Sequence, residues 1–143
     1  MKTVVYQSPE YFEMLALRHK ILREPLGLNF SDDDLQREKD DVFVACSESD
    51  RIIGCCILTR VSDHVVKLRQ MAVDSHQQGK NIGKNLLLFA EQYAAQQGYS
   101  TIEMHARKTA ATFYAKYGYT AIGNDFIEVG IPHIFMVKHL KKK

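Results

Sequence analysis

The segment at residues 71–89, MAVDSHQQGKNIGKNLLLF, joins an apolar run typical of a strand to an amphipathic helix. Two glycines, Gly79 and Gly83, and two lysines, Lys80 and Lys84, lie where that helix begins. The first N–H groups of a helix have no internal partner, and the helix dipole places partial positive charge there. Glycine in addition lets an anion approach the backbone closely. The spacing therefore predicts a site for a phosphate-bearing ligand.

Two common nucleotide-binding motifs do not fit this segment. The P-loop motif needs four residues between its glycines and a Ser or Thr after its lysine. Here three residues separate Gly79 from Gly83, and Asn85 follows Lys84. The dinucleotide motif G-x-G-x-x-G is absent, and the preceding strand does not open a βαβ unit. A plain polar loop that caps a core helix remains the structural alternative for this segment alone.

Hydrophobic periodicity predicts the elements that must position the loop. A helix begins at Pro9 behind the N-cap Ser8, and we expect its core face to consist of Phe12, Leu15, Ala16, His19 and Leu22. A second helix covers residues 81–97 and ends at Gly98. Strands are predicted at 2–7, 42–47, 51–61, 65–73, 101–106 and 133–140, with a short helix at 108–117. This order indicates one α/β (α+β) domain over residues 1–143, with a mixed sheet of about six or seven strands and helices on both faces.

Composition excludes several classes of protein. Of the 143 residues, 45% are hydrophobic and 25% are charged, which is ordinary for one globular domain. A net charge of +2 does not indicate a nucleic-acid partner. No apolar run approaches the roughly 18 residues of a membrane span, and the N-terminus lacks the features of a signal peptide. The cysteines and histidines have no metal-ligand spacing. We expect a cytoplasmic protein that uses no metal, nucleic acid or membrane.

The loop and a later helix resemble one known family. Residues 78–83, QGKNIG, resemble the Gln/Arg-x-x-Gly-x-Gly/Ala signature of the GNAT superfamily of acyl-CoA-dependent N-acyltransferases. Residues 111–119, ATFYAKYGY, are similar to the second conserved helix of that family. Glu128 with the IPH run at 131–133 resembles the ElaA-type branch of predicted acyltransferases. The middle glycine of the signature is Asn81 here, and Asn is the next most tolerant residue for left-handed backbone.

The resemblance implies a cofactor site for acetyl-CoA as acyl donor. The backbone of the strand end at 71–73 would pair with the pantetheine arm, and the amides of 78–84 would hold the pyrophosphate. The implied cofactor-binding residues are Met71, Ala72, Val73, Gln78, Gly79, Lys80, Asn81, Ile82, Gly83 and Lys84. The resemblance also implies that strands 65–73 and 101–106 splay apart into a V-shaped cleft, and that no metal is needed.

The implied reaction is direct attack of a primary amine on the thioester, which needs an oxyanion donor, a base and an acid. The N–H of Val73 is the implied oxyanion donor, and Tyr114 is the implied general acid. The sequence leaves the base open among Glu103, His105 and His133, with Glu128 also near the last strand. Arg69 and Arg107 are either ligand contacts or ordinary paired arginines.

The acceptor is predicted only by charge. Residues 31–41, SDDDLQREKDD, carry six acidic side chains and two basic ones. This acidic segment either lies at the acceptor site and attracts a cationic amine, or is a solvated loop without a ligand. Two other functions stay open, a non-enzymatic acyl-CoA-binding or sensing domain on the same fold and a plain interaction module. A homodimer is one assembly that the sequence leaves open.

Overall fold

The computed structural model describes residues 1–77 and 79–140. The strands are β1 (Lys2–Val4), β2 (Val42–Glu48), β3 (Arg51–Arg60), β4 (Val65–Val73), β5 (Thr101–Arg107), β6 (Thr120–Glu128) and β7 (Ile131–His139). The α-helices are α1 (Pro9–Arg18), α2 (Asp32–Gln36), α3 (Ile82–Gln96) and α4 (Ala111–Lys116). A π-helical turn covers His19–Arg23, and 3₁₀ turns cover Glu24–Leu26, Ser75–Gln77 and Lys108–Ala110. None of the helices in these two ranges is long and apolar enough to cross a membrane.

The strands form a mixed sheet in the order β1-β2-β3-β4-β5-β7-β6. β4 and β5 are parallel, whereas β1–β2, β2–β3, β5–β7 and β6–β7 are antiparallel. The parallel register covers Val65–Leu68 with Thr101–Met104, although both strands continue beyond these residues. The predicted α/β class and the predicted number of strands are confirmed.

The chain groups into two compact units whose segments alternate along the sequence. Unit 1 comprises Met1–Thr59 and Arg69–Gln92, and unit 2 comprises Arg60–Leu68 and the chain from Tyr93 onward. The chain therefore changes unit three times, at the end of β3, within β4 and within α3. A single domain over residues 1–143 stays a prediction.

In unit 1, α1 begins as predicted but packs with a different face. The side chain of Ser8 accepts a hydrogen bond from the N–H of Tyr11 at 3.2 Å, and Pro9 is the first helical residue. The predicted core face is only partly right, because Leu15 and Leu22 pack against the core but Phe12 is 55% exposed. The buried residues are Tyr11, Met14, Leu17 and Arg18. The Tyr11 ring meets that of Phe43 edge to face at 5.0 Å. Apolar residues follow helical spacing on both sides of α1, so only the packing partner selects the buried side.

The start of α3 is held close to β3 by a glycine. A Cβ atom on Gly54 would lie 2.7 Å from Cγ2 of Ile82, the first residue of α3, and 3.0 Å from Cδ1 of Leu86. The buried residues of this helix include Ile82, Leu86, Leu87, Ala90 and Ala94. Gly54 therefore permits the contact that fixes the first turn of α3.

Unit 2 contains a strand that the sequence pattern does not predict. Eight of the nine residues of β6 are exposed, so β6 has no alternation of buried and exposed positions. Its register with β7 shifts between Ile122 and Phe126, across Gly123 with φ +80°. The alternation that identifies strands in sequence is therefore missing here.

Candidate functional site

In unit 1, the predicted phosphate loop begins at Asp74, directly after β4. The N–H of Asp74 donates to the carbonyl oxygen of Ile53 at 2.8 Å, and its carboxylate accepts from the N–H of His76 at 3.0 Å. The N–H of Gln77 donates to the carbonyl oxygen of Asp74 at 2.9 Å. The hydrogen bond from His76 is the main cause that lowers the pKa of Asp74 below its ordinary value. An ionised Asp74 therefore holds the first turn of the loop.

The loop reaches the helix through left-handed backbone. The φ angles are +87° at Gly79 and +60° at Asn81. The carbonyl oxygen of Asn81 accepts from the N–H of Asn85 at 3.0 Å at the start of α3. The N–H groups of the residues between these two have no helical carbonyl to bind, because of helix geometry. Asn81 adopts the conformation that a glycine would have at this position.

Nine of the ten predicted cofactor-binding residues form a strand end, a loop and a helix start within unit 1. Ala72 and Ile82 are buried and anchor the two ends, whereas Gly79, Lys80 and Asn81 are exposed. Met71, Val73, Gly83 and Lys84 are intermediate in exposure. Gln78 lies outside the described residues. The arrangement offers backbone donors, Lys80 on the exposed loop and Lys84 in the first turn of α3, which suits an anionic group.

A conformational feature of β4 was not anticipated from the sequence. Gln70 has a φ of +56° in the middle of the strand, one residue before the predicted pantetheine-binding segment. Its Oε1 atom is buried, and this oxygen has no hydrogen-bond partner among the described residues. Left-handed non-glycine backbone and unpaired buried polar atoms are costly and concentrate at functional sites. No sequence rule predicts a left-handed Gln inside a strand.

In unit 2, one carboxylate contacts two of the three candidate bases. Oε1 of Glu128, at the end of β6, lies 2.9 Å from Nδ1 of His105 on β5. Oε2 of the same carboxylate lies 3.6 Å from Nε2 of His133 on β7. Nζ of Lys67 on β4 lies 3.4 Å from Nδ1 of His105. We call Lys67, His105, Glu128 and His133 the histidine–carboxylate cluster.

The hydrogen bonds define what each histidine can do. Nδ1 of His133 donates to the carbonyl oxygen of Ile131 at 2.9 Å, and the ring is 4% exposed. Nδ1 of His105 faces Glu128, so a proton on Nδ1 leaves a lone pair on Nε2. The side chain of His105 is 31% exposed. His105 can therefore exchange a proton with a ligand through Nε2, whereas the buried ring of His133 is held at Nδ1 by Ile131.

Burial and nearby positive charge act in opposite directions on Glu128. Burial raises the pKa of Glu128, whereas the hydrogen bond from His105 and the charges of His105, His133 and Lys67 lower it. The lowering effects are together larger, so the pKa of Glu128 lies below its ordinary value. Glu128 is consequently ionised at neutral pH. Phe126 packs edge to face on the His105 ring at 5.1 Å and stacks on the His133 ring at 6.0 Å. The ring of Phe126 therefore stabilises the cluster in addition to the electrostatic contacts of Glu128.

The third candidate base, Glu103, lies two residues before His105 in β5 and is half-buried. Its register partner in β4 is Lys67. Within residues 1–77 and 79–140, no hydrogen bond or ion pair joins Glu103 to the cluster. The structure therefore brings together His105 and His133 but not Glu103.

Tyr114, the predicted acid, is a buried residue of α4 in unit 2. It is 8% exposed, and its ring contacts those of Phe113 and Tyr119 edge to face at 5.2 and 5.9 Å. Its carbonyl oxygen accepts from the N–H of Tyr117 at 3.0 Å, which closes the helix. These contacts fix the ring and are compatible with both a core role and an acid role.

Several acidic residues of the 31–41 segment have structural partners. Ser31 and Asp34 form a capping box at the start of α2, with Asp32 and Asp33 in its first turn. Glu38 is 2% exposed and accepts two hydrogen bonds from Arg18, at 3.0 and 2.6 Å. These contacts account for part of the acidic segment without a ligand. A cationic acceptor stays a prediction.

Two further features bear on the chemistry. Burial raises the pKa of Cys55 to about 12, and burial also raises the pKa of Cys56, so neither thiol is a ready nucleophile. Across the described ranges, no three His, Cys, Asp or Glu side chains are arranged to hold a metal ion.

Solved structures resemble this chain along almost its whole length. A putative N-acetyltransferase from Lactobacillus plantarum shares 27% identity with a TM-score of 0.84, over 98% of each chain. Escherichia coli ElaA shares 16% identity with a TM-score of 0.82, covering 96% of this chain and 97% of that one. A GNAT family acetyltransferase from Elizabethkingia anophelis with acetyl-CoA bound shares 17% identity with a TM-score of 0.75, over 97% and 96%. At identities this low, the last two show the fold alone.

Sequence relatives give a more specific likeness. YjcF of Bacillus subtilis (strain 168), an uncharacterized N-acetyltransferase by name, is 29% identical over 140 residues, which are 96% of this chain and 99% of YjcF. YyaT of the same strain is 29% identical over 83 residues, which are 58% of this chain, and the chain spans about half of YyaT, 56% of its length. The family model of the acetyltransferase (GNAT) domain matches residues 28–140. The chain therefore belongs to the GNAT acetyltransferase family.

Proposed function

We propose that this protein transfers the acetyl group of acetyl-CoA to a primary amine of a small-molecule acceptor in the cytoplasm. The observation that carries the proposal is the left-handed backbone at Gly79 and Asn81, which leads the exposed loop into the first turn of α3, where N–H groups have no helical acceptor. Family membership supports acyl transfer in general. The acetyl donor and the amine acceptor are the specific parts of the proposal.

Acetyl-CoA would be held mainly by backbone in unit 1. The edge of β4 at Met71–Val73 would pair with the pantetheine arm, and the amides of 79–84, with that of Gln78, would surround the pyrophosphate. Lys80 and Lys84 would add their positive charges to the partial positive charge of the helix end, and both would attract the pyrophosphate. The acetyl-CoA bound to the Elizabethkingia anophelis acetyltransferase supports this choice of donor. Several donors acting together would supply the affinity.

The reaction would proceed without a covalent enzyme intermediate. The neutral amine attacks the thioester carbonyl carbon, forming a C–N bond and a tetrahedral oxyanion. The N–H of Val73 would donate to that oxyanion. Collapse of the intermediate breaks the C–S bond and releases the CoA thiolate, which takes a proton from the Tyr114 hydroxyl. Both cysteines whose pKa is raised are buried, so they are unsuited to serve as acyl carriers.

His105 is the base that the geometry favours. Its Nδ1 proton is held by Glu128 at 2.9 Å, which leaves Nε2 to accept the proton lost by the attacking amine. The carboxylate stabilises the imidazolium that forms. His133 would act as a positioning residue, because its ring contacts the carbonyl of Ile131 and the second oxygen of Glu128. Glu103 lacks a comparable partner in the cluster and is the weaker candidate.

Two measurements test the proposal in sequence. Equilibrium titration with acetyl-CoA should give saturable binding, and the thiol of released CoA should increase when amines are supplied. Polyamines and amino sugars belong in the panel, since the 31–41 segment favours a cationic acceptor. Binding without transfer to any amine would identify an acyl-CoA sensor instead. Absence of binding would favour an interaction module.

A further inference from the structure

Arg69 lies in a polar cluster of unit 1 that neither cofactor binding nor the base requires. Its Nη1 atom is 3.7 Å from Oδ2 of Asp41 and 3.4 Å from Oγ1 of Thr59. Asp41 directly precedes β2, and Thr59 is near the end of β3. An arginine bound firmly to a carboxylate is typically about 2.7–2.9 Å away. Both contacts of Arg69 are therefore loose.

The two partners of the ion pair differ in burial. The side chain of Asp41 is 6% exposed, whereas that of Arg69 is 33% exposed. Oδ2 of Asp41 has no hydrogen-bond partner in the described part of the chain. Burial raises the pKa of Asp41 to about 6, and Thr59 and Arg69 lower it only in part. The other charged groups that act on Asp41, Glu38 and Asp40, are acidic and raise its pKa as well.

This arrangement suits an arginine that binds an external anion. A guanidinium has five N–H donors in a planar fork that matches a carboxylate. Among the described residues, the polar contacts of Arg69 with Asp41 and Thr59 use one nitrogen, Nη1, and lie toward the buried side. The buried carboxylate behind it restrains the guanidinium, so its exposed part remains available to a ligand.

Arg69 is also close to the acyl donor in sequence. It stands two residues before Met71 in β4, and two residues of an extended strand span about 6–7 Å. Between them, Gln70 has the left-handed φ of +56° and the unpaired buried Oε1. Gln70 therefore has a buried oxygen without a hydrogen-bond partner, and Arg69 faces another such oxygen on Asp41. Both residues directly precede the segment assigned to pantetheine.

We propose that Arg69 binds a carboxylate of the acceptor, so that the acceptor is an amino-acid-like or short peptide-like amine with a free carboxylate. This inference rests on the proposed function, because it presupposes that an amine is acetylated at the acyl group held by β4. It is compatible with attraction of the ammonium end by the acidic segment, since such an acceptor carries both charges. Asp41 is the positioning residue, and Arg69 contacts the substrate.

Paired acceptors test this inference. Free L-amino acids and glycyl dipeptides are compared with the same molecules as C-terminal carboxamides, with CoA thiol release as the readout and KM and kcat determined separately. The wild-type KM should be about ten- to hundredfold lower for the free acids, as expected for a hydrogen-bonded charge pair. In Arg69→Gln this advantage should disappear, because KM of the acids rises while KM of the amides and the Kd of acetyl-CoA do not.

Two variants control for indirect effects. Arg60→Gln removes the same charge from an exposed pair with Asp63, whose side chains are 62% and 81% exposed, and should leave the KM ratio unchanged. Arg69→Lys keeps the charge but loses the planar fork and should give an intermediate ratio. It also keeps the test valid if Arg69→Gln does not fold.

Other results would overturn the inference. Equal wild-type KM values for acids and amides would do so, as would an equal rise for both in Arg69→Gln. Transfer only to amines without a carboxylate would remove the role of Arg69 and leave the proposed function intact. Binding of acetyl-CoA without transfer to any amine would instead remove the proposed function itself, and the inference with it.

Discussion

The two candidate regions are made from different parts of the polypeptide. In unit 1, the loop from Asp74 to Lys84 presents backbone N–H groups, and its geometry depends on φ and ψ. In unit 2, the histidine–carboxylate cluster presents side chains from several strands, and its geometry depends on individual atoms. A backbone site tolerates any residue that keeps the conformation, as Asn81 does in place of glycine. A side-chain cluster has no such tolerance. Substitutions should therefore affect binding through shape in unit 1 and rate through chemistry in unit 2.

The largest effect is expected for Gly83→Val in unit 1. A β-branched side chain in the first turn of α3 would block the approach of the pyrophosphate to the backbone, and saturable acetyl-CoA binding should be lost, with Kd at least about 100-fold higher, about 2.7 kcal/mol. Calorimetric titration measures this. Leu88→Val places a similar side chain at a position of α3 that is 45% exposed and should bind normally. Unchanged affinity in folded Gly83→Val would remove the basis of the cofactor site.

The second-largest effect is expected for Tyr114→Phe in unit 2. The variant keeps the ring and its contacts with Phe113 and Tyr119, so it should fold and bind acetyl-CoA as before. Loss of the proton donor should lower kcat on the order of 100-fold, about 2.7 kcal/mol of barrier. Steady-state kinetics with a confirmed acceptor measures it. Tyr117→Phe, one residue past the end of α4, is the matched control. Full activity of Tyr114→Phe would assign Tyr114 to the core.

A smaller effect is expected for Glu128→Gln. The amide keeps the shape but cannot stabilise the imidazolium of His105, so kcat should fall on the order of tenfold, less than loss of a whole base. The Kd of acetyl-CoA should stay constant. Asp125→Asn removes a carboxylate of the same strand that pairs with Lys108, and it should keep full activity. If Glu128→Gln is as active as wild type, His105 acts without the carboxylate or is not the base.

The same variant makes a prediction about stability and pH. The pKa of Glu128 is lowered in the folded protein, so the unfolded chain takes up the proton first as pH falls. The stabilising contribution is therefore fully present above the unfolded pKa of about 4.3 and is lost below it. The difference in unfolding free energy between wild type and Glu128→Gln should be constant from about pH 8 to 6 and shrink below about pH 4. Urea unfolding at several pH values measures it, and a difference that grows toward acid pH would show the opposite sign.

The smallest effect is expected for Asn81→Gly. Asn81 already has the left-handed φ of +60°, so glycine relieves only the small cost of that conformation. The Kd of acetyl-CoA should be equal or lower, by no more than about fivefold, as expected from about 1 kcal/mol. Weaker binding would mean that the Asn81 side chain itself contacts the cofactor, and the site would then depend on more than backbone.

Local patterns could propose the candidate loop of unit 1 because that loop is continuous in sequence. The strand end, the loop and α3 follow one another, so the spacing of glycines and lysines contains most of the information. The sequence could not choose the buried face of α1, since Tyr11 and Phe12 are both aromatic and only Phe43 decides between them. Nor could it identify Gly54, whose role depends on the distance to Ile82.

The cluster in unit 2 was predictable only as separate candidates. His105 and Glu128 are 23 residues apart, and their contact depends on the register of β5, β7 and β6. Because β6 has no alternation of buried residues, the sequence did not predict the strand that carries Glu128. The left-handed Gln70 could not be predicted either, because Gln has no special preference for that conformation.

The alternation of segments between the two units has a consequence for synthesis on the ribosome. Unit 1 is complete only when residue 92 has been made, because its second segment contains Arg69–Val73 of β4 and the start of α3. Segment 60–68 of unit 2 is made earlier, and its partners in that unit come only with the chain from Tyr93 onward. At about 5–20 residues per second, the nascent chain would hold these segments without their partners for several seconds. Pairing of β4 with β5 also joins distant residues, which slows folding. Because neither unit is contiguous, a cut after Gln92 would keep both segments of unit 1 on one fragment but separate residues 60–68 of unit 2 from the chain that follows Gln92.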